Sequence, residues 1–190
     1  MTPFPHLVEA ELRRASDLHP PLANHDEARS VLLEEVKEVE TEVFKKRSER
    51  ADADLLDELV QVAAMARRWL ECCGLTVVLR SAVPPAVQIV LAFLRHEHRP
   101  ANSDHEALTR LRRLTNKIER MSDDGGPDLK GRQYDVGLAL VTVGATCQRW
   151  AEDRGLTPRT SPEPPTPVDA RDTQTGPPVV PFVPSEPPEP

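Results

Sequence analysis

Apolar residues recur along this chain at the three- and four-residue spacing of helices, and no strand-like alternation runs longer than a few residues. The period predicts a first helix over 5–18, closed by His19-Pro20-Pro21, and a second running from Asp26, its expected cap, to about Arg47. A polar link leads to a third helix over 54–73, with Gly74 at its C′ position. The pattern then restarts. Helices are expected over 84–98, 104–121 (capped by Ser103 or Asp104) and 132–154, with a loop at 122–127 and a stop at Gly155.

The restart extends to residue identity. Val60, Val62, Ala64, Arg68, Trp69, Glu71, Gly74, Leu75 and Thr76 recur 81 positions later as Val141, Val143, Ala145, Arg149, Trp150, Glu152, Gly155, Leu156 and Thr157. The expected fold is therefore all-α, an internally duplicated bundle of about six helices. Residues 1–82 form one three-helix unit and 83–157 a second. Twelve of the twenty prolines fall in 158–190, which predicts a disordered tail with polyproline character. Trp69 and Trp150 read as repeated core anchors, and the six histidines as surface or capping residues.

Two helices carry oxygen-bearing pairs on matching flanks. With Leu32 at zero, Val36, Val39 and Val43 lie within about 40° of it and form the core stripe. Glu35 and Glu38 share one shoulder of that stripe, and Glu34 points to solvent. On the third helix Leu55, Leu59, Val62 and Ala66 make the stripe. Glu58, Gln61 and Asp54 share its shoulder, and Asp57 points away. Two such helices packed together make an oxygen cage suited to a hard divalent cation such as Mg²⁺. The opposing expectation is a pair of solvated acidic edges, bridged to Lys45, Lys46, Arg47 and Arg50.

Charge narrows the partners. The chain carries 31 acidic and 24 basic residues, a net charge of −7, which disfavours stable nucleic-acid binding. Phosphate chemistry on such a protein needs a cation. The longest apolar stretch, 87–94, is too short for a membrane span, and no signal peptide is visible, so a cytoplasmic setting is expected. Cys72, Cys73 and Cys147 fit neither a disulfide framework nor a zinc site. Gly125-Gly126-Pro127 reads as a turn, and no Ser or His nucleophile context is present.

The stretch Leu32-Leu33-Glu34-Glu35-Val36-Lys37-Glu38, followed by Glu58-Leu59-Val60-Gln61-Val62-Ala63-Ala64-Met65-Ala66, resembles the all-α nucleoside triphosphate pyrophosphatases, the MazG-like superfamily. That family's signature is an ExxE pair on one helix and an ExxD pair on the next, and the resemblance covers about 26–72. It implies Mg²⁺ (or Mn²⁺) held by the acids and cleavage of a (d)NTP to (d)NMP and pyrophosphate, in housecleaning of the nucleotide pool. Carried over by position, Glu35, Glu38 and Glu58 are the catalytic ligands. Gln61 stands where the family has Asp: it offers a carbonyl without charge, and Asp54 could restore the charge.

At the offset of 81, Glu35, Glu38 and Glu58 correspond to Asn116, Glu119 and Ala139, so the second unit cannot build a full site. Its middle helix is basic instead, and Arg113, Lys117 and Arg120 are expected to hold the triphosphate. Single-copy members of the family complete their sites between subunits. Here the second unit can take that part, giving a monomer or a homodimer. The competing expectation is a catalytically degenerate helical interaction protein, tethered by its Pro-rich tail.

Overall fold

A computed structural model describes residues 3–46, 48–75, 83–97, 99–123 and 129–158. The described residues form six helices and no strand: α1 (Phe4–Leu18), α2 (His25–Phe44), α3 (Asp52–Cys72), α4 (Val83–Glu97), α5 (Asp104–Asp123) and α6 (Leu129–Arg154). None is long and apolar enough to cross a membrane. The expected tail disorder from 159 onward and the Gly125–Pro127 turn lie outside the described residues.

The duplication is legible in local structure. α1 and α4 are both 15 residues long, and α2 and α5 both 20. Each of the latter pair opens on the same reciprocal cap. Asn24 Oδ1 accepts from the Glu27 amide at 2.9 Å, and Glu27 accepts from the Ala23 amide. Ser103 Oγ accepts from the Glu106 amide at 3.2 Å, and Glu106 accepts from the Asn102 amide. Both arrangements satisfy amides that a helix N-terminus leaves without intrahelical partners. Asn24, rather than the expected Asp26, is therefore the cap of α2. At the other end of each repeat Gly74 and Gly155 take φ of +70° and +63°, the left-handed C′ conformation that glycine adopts without a Cβ penalty.

These landmarks fix the register. α2 begins at His25 and α5 at Asp104, an offset of 79, whereas Gly74 and Gly155 are 81 apart. The two additional residues fall between Asp123 and the part of α6 that matches α3. At 79, Ala28 pairs with Ala107, Leu32 with Leu111, Val36 with Thr115 and Val39 with Ile118, and all eight are buried. The offset of 81 holds for α3 and α6 alone, so Leu114 and Lys117, not Asn116 and Glu119, are the counterparts of Glu35 and Glu38.

α1 and α2 pack on α3, and α4 and α5 pack on α6. Across the repeats α3 meets α6 and α2 meets α5, so exchanging the repeats preserves the main contacts, as in a two-fold dimer fused into one chain. One core cluster draws residues from both repeats, including Trp69, Leu59, Leu140 and Trp150. α3 touches α1, α2 and α6, which explains why Leu56, Val60, Ala63 and Ala64, off the expected stripe, are buried too.

Candidate metal centre

The core stripe of α2 sets the acids. Leu32, Val36, Val39 and Val43 are all buried, which leaves Glu35 half-buried on their flank, Glu38 exposed beside it and Glu34 exposed on the far side. On α3 the buried Leu55, Leu59, Val62 and Ala66 leave Glu58 and Gln61 half-buried on the flank facing α2. The packing of α2 on α3 then brings the flanks together. One carboxylate oxygen from each of Glu35, Glu38 and Glu58 lies within 4.8 Å of the other two.

Electrostatics at this cluster are unfavourable without a counter-charge. Burial, followed by the charges of Glu38, Glu11 and Glu34, pushes the Glu35 carboxyl up to about 7, against a lowering by Arg14. Burial, then the charge of Glu38 and a hydrogen bond with it, then Glu35 and Glu42, push Glu58 up to about 7 as well. Such a cluster retains protons near neutrality or takes a cation in their place. Glu35 Oε2 is buried with no hydrogen-bond partner. Three carboxylates from two helices are hard oxygen donors, the chemistry that a Mg²⁺-class ion takes.

The remaining candidates are placed differently. Gln61 Nε2 donates to Glu58 Oε2 at 3.2 Å, so Gln61 presents an N–H to the trio and orients Glu58. Asp54 is half-buried on the first turn of α3, one turn before Glu58, and is not one of the three clustered acids. The bridges expected from the basic cluster to Glu35 or Glu38 do not form among the described residues. Lys45 pairs with Glu42, Lys46 with Glu49 at 3.8 Å, and Arg50 with Asp104. Arg47 lies outside the described residues.

A cavity of about 270 Å³ adjoins the cluster, walled by α1, α2 and α3 and bordered by Glu35 and Gln61. Its lining includes Leu12, Val31 and Met65, with Arg14 and Arg68 as its cations. Arg113, Lys117 and Arg120, expected to hold the triphosphate, are exposed on α5 and are not part of this lining. Sequence reasoning missed Arg14 and Glu11 of α1, because nothing in local spacing says which helix will roof the site. It also missed Glu42, buried one turn beyond Glu38 and adding its charge to Glu58. Continuing the Glu35–Glu38 spacing by four would have found it.

In the second repeat Leu114, Lys117, Ala139 and Thr142 stand at the positions of Glu35, Glu38, Glu58 and Gln61. None of these is a carboxylate, so among the described residues the second repeat has no counterpart of the acidic cluster. The chain has no significant match among protein-family models, characterised proteins or solved structures.

Proposed function

We propose that this protein is a Mg²⁺-dependent nucleoside triphosphate pyrophosphohydrolase, converting a (d)NTP to (d)NMP and pyrophosphate. The observation that carries the reading is the convergence of Glu35, Glu38 and Glu58, with one buried oxygen left without a partner, beside a cavity of nucleoside scale. The resemblance of these two helices to the MazG-like superfamily supplies the substrate class and the housecleaning role. Mn²⁺ would serve in place of Mg²⁺.

Glu35, Glu38 and Glu58 would hold the cation. When bound, it supplies Lewis-acid polarisation of a phosphoryl oxygen and offsets the charge of the triphosphate. Its binding displaces protons from the carboxyls whose pKa lies near 7, so affinity rises with pH. Gln61 fixes the orientation of Glu58 through its amide N–H. Arg14, held through Nε and Nη2 by both oxygens of Glu11, lines the cavity and lies close enough to lower the pKa of Glu35. The overall reaction adds water across the α–β anhydride. It requires no side-chain nucleophile, since water itself attacks and its proton leaves to solvent.

The test is a panel of NTPs and dNTPs with Mg²⁺ or Mn²⁺, read as nucleoside monophosphate and pyrophosphate. Failure on every member with the helices intact would refute the hydrolase.

A second reading, a helical interaction protein, draws on the surface of the second repeat. Ile89 and Phe93 on α4 and Tyr134 and Leu138 on α6 are exposed, where the matching positions of the first repeat hold Ala10, Arg14, Ala53 and Asp57. Loss of the acids together with gain of exposed apolar groups suits a contact surface. An inactive protein that elutes as a larger species, and returns to monomer on Phe93→Ser, would favour this reading.

A further inference from the structure

We infer that Arg68 makes the cavity selective for nucleobases that carry a carbonyl oxygen, rather than an amino group, on the edge away from the sugar. This rests on the hydrolase reading for the ligand being a nucleotide.

Arg68 is only 7% exposed and lines the cavity. Its Nη2 donates to the carbonyl of His19 at 3.0 Å and to that of Pro20, which pins the guanidinium against the α1–α2 loop. Among the described residues no carboxylate bridges it. The two other acids of the lining outside the cluster are engaged elsewhere: Glu27 accepts from the Ala23 amide, and Glu11 accepts from Arg14. The matching residue of the second repeat behaves differently. Arg149 is clamped through Nε by both oxygens of Asp153 at 2.8 Å, and Cys72 stands where Asp153 does. A buried arginine without a carboxylate is costly, and an electron-rich ligand group offsets that cost.

Position along α3 says which group. Gln61, Met65 and Arg68 follow one another at i, i+4 and i+7, and all line the cavity. Arg68 therefore sits about 10 Å along the helix axis from Gln61, the length scale of a nucleoside. With the phosphates at the three glutamates, the sugar falls beside Gln61, the base over Met65 against Leu12 and Val31, and the outer base edge at Arg68. Guanine, uracil, thymine and hypoxanthine present an oxygen on that edge, whereas adenine and cytosine present an amino group. A guanidinium has donors only, so it bonds the first set and opposes the second donor to donor.

The test compares matched pairs, ITP with ATP and UTP with CTP, in which a carbonyl replaces the amino group. The wild-type protein with Mg²⁺ should prefer the carbonyl member of each pair by about tenfold or more in kcat/KM. Arg68→Met should bring both ratios toward one while hydrolysis persists, with circular dichroism checking the helices. Should Arg68→Met fail to fold, the wild-type ratios decide alone. Equal rates within both pairs overturn the inference and leave the hydrolase standing. No turnover on any nucleotide refutes the hydrolase, and equilibrium binding of the same four nucleotides then decides. Tighter binding of ITP and UTP retains the inference, and equal or no binding overturns it.

Discussion

Trp69 donates its indole N–H to Nδ1 of His25, the first residue of α2, at 2.9 Å. The second repeat keeps the bond and changes the acceptor. Trp150 donates to Oδ1 of Asp104, the first residue of α5, also at 2.9 Å. In both repeats the last helix thus fixes where the middle helix begins. Asp104 has a further task, because it receives Arg154 at 3.0 Å and Arg50 from the α2–α3 loop of the other repeat.

Unequal stability effects should follow. Trp69→Phe removes one hydrogen bond while filling most of the same space, and should cost about 1–2 kcal/mol. Asp104→Ala strands the indole of Trp150 and the half-buried Arg50, and should cost about 3–5 kcal/mol. Urea unfolding monitored by helicity measures both. A smaller loss for Asp104→Ala than for Trp69→Phe would show that the network around Asp104 is not what ties the repeats together.

Glu38 offers the cleanest test of the centre, being exposed and so dispensable for packing. Glu38→Ala should retain the wild-type helicity yet lose Mg²⁺-dependent turnover at least about a hundredfold. Gln61→Ala, which frees Glu58 without removing a carboxylate, should lose about ten- to a hundredfold. Full activity of Glu38→Ala would remove the basis for the assignment.

The raised carboxyls make a pH prediction with a definite sign. Glu35 and Glu58 rise from 4.5 to about 7 on folding, so each prefers its protonated form in the native state. Their contribution is fully present below about 4.5 and is lost as pH rises through about 7. In EDTA the Tm should therefore fall between pH 5 and pH 8. Mg²⁺ should raise Tm at pH 8 and have little effect at pH 5, where protons compete. Glu35→Gln should raise the Tm in EDTA at pH 8, since it removes one buried charge. A Tm in EDTA that rises steadily from pH 5 to pH 8 would contradict the burial of these groups.

Arg113, Lys117 and Arg120 are exposed on α5 and outside the cavity lining. Replacing all three by alanine should change KM for a triphosphate substrate less than about threefold, because exposed charges act weakly through solvent. Arg14→Ala, inside the lining, should raise it more. Steady-state kinetics on the two variants separates these outcomes.

Because α3 is buried against α6 as well as against α1 and α2, residues 1–82 alone would expose an apolar flank including Val60 and Ala63. That fragment should self-associate or lose helicity, whereas 1–158 should behave as a folded unit without the tail. Sedimentation and circular dichroism check both. A soluble, monomeric and folded 1–82 fragment would show that the second repeat is not needed to complete the core.

What the sequence determined by itself is what depends on a residue's place along one helix. The 3.6-residue period put Glu35 and Glu38 on one flank of Leu32, Val36 and Val39, and Glu58 and Gln61 on the matching flank of α3. Backbone chemistry put the stops at Gly74 and Gly155. Repeated identities around Trp69 and Trp150 announced the duplication, but they lie on the final helix of each repeat and could not reveal the offset of 79 that governs the first two. Tertiary structure decided everything that depends on how one helix is rotated and positioned against another. It brought the two acidic flanks within reach, set α1 with Arg14 and Glu11 beside them, and turned the basic face of α5 to solvent. It also held Arg68 against carbonyls 48 and 49 residues earlier in the chain. Helical period fixes an angle about one axis. Which residues meet across axes is settled by the burial of Leu, Val and Trp side chains far from the site, and that information is spread over the whole core.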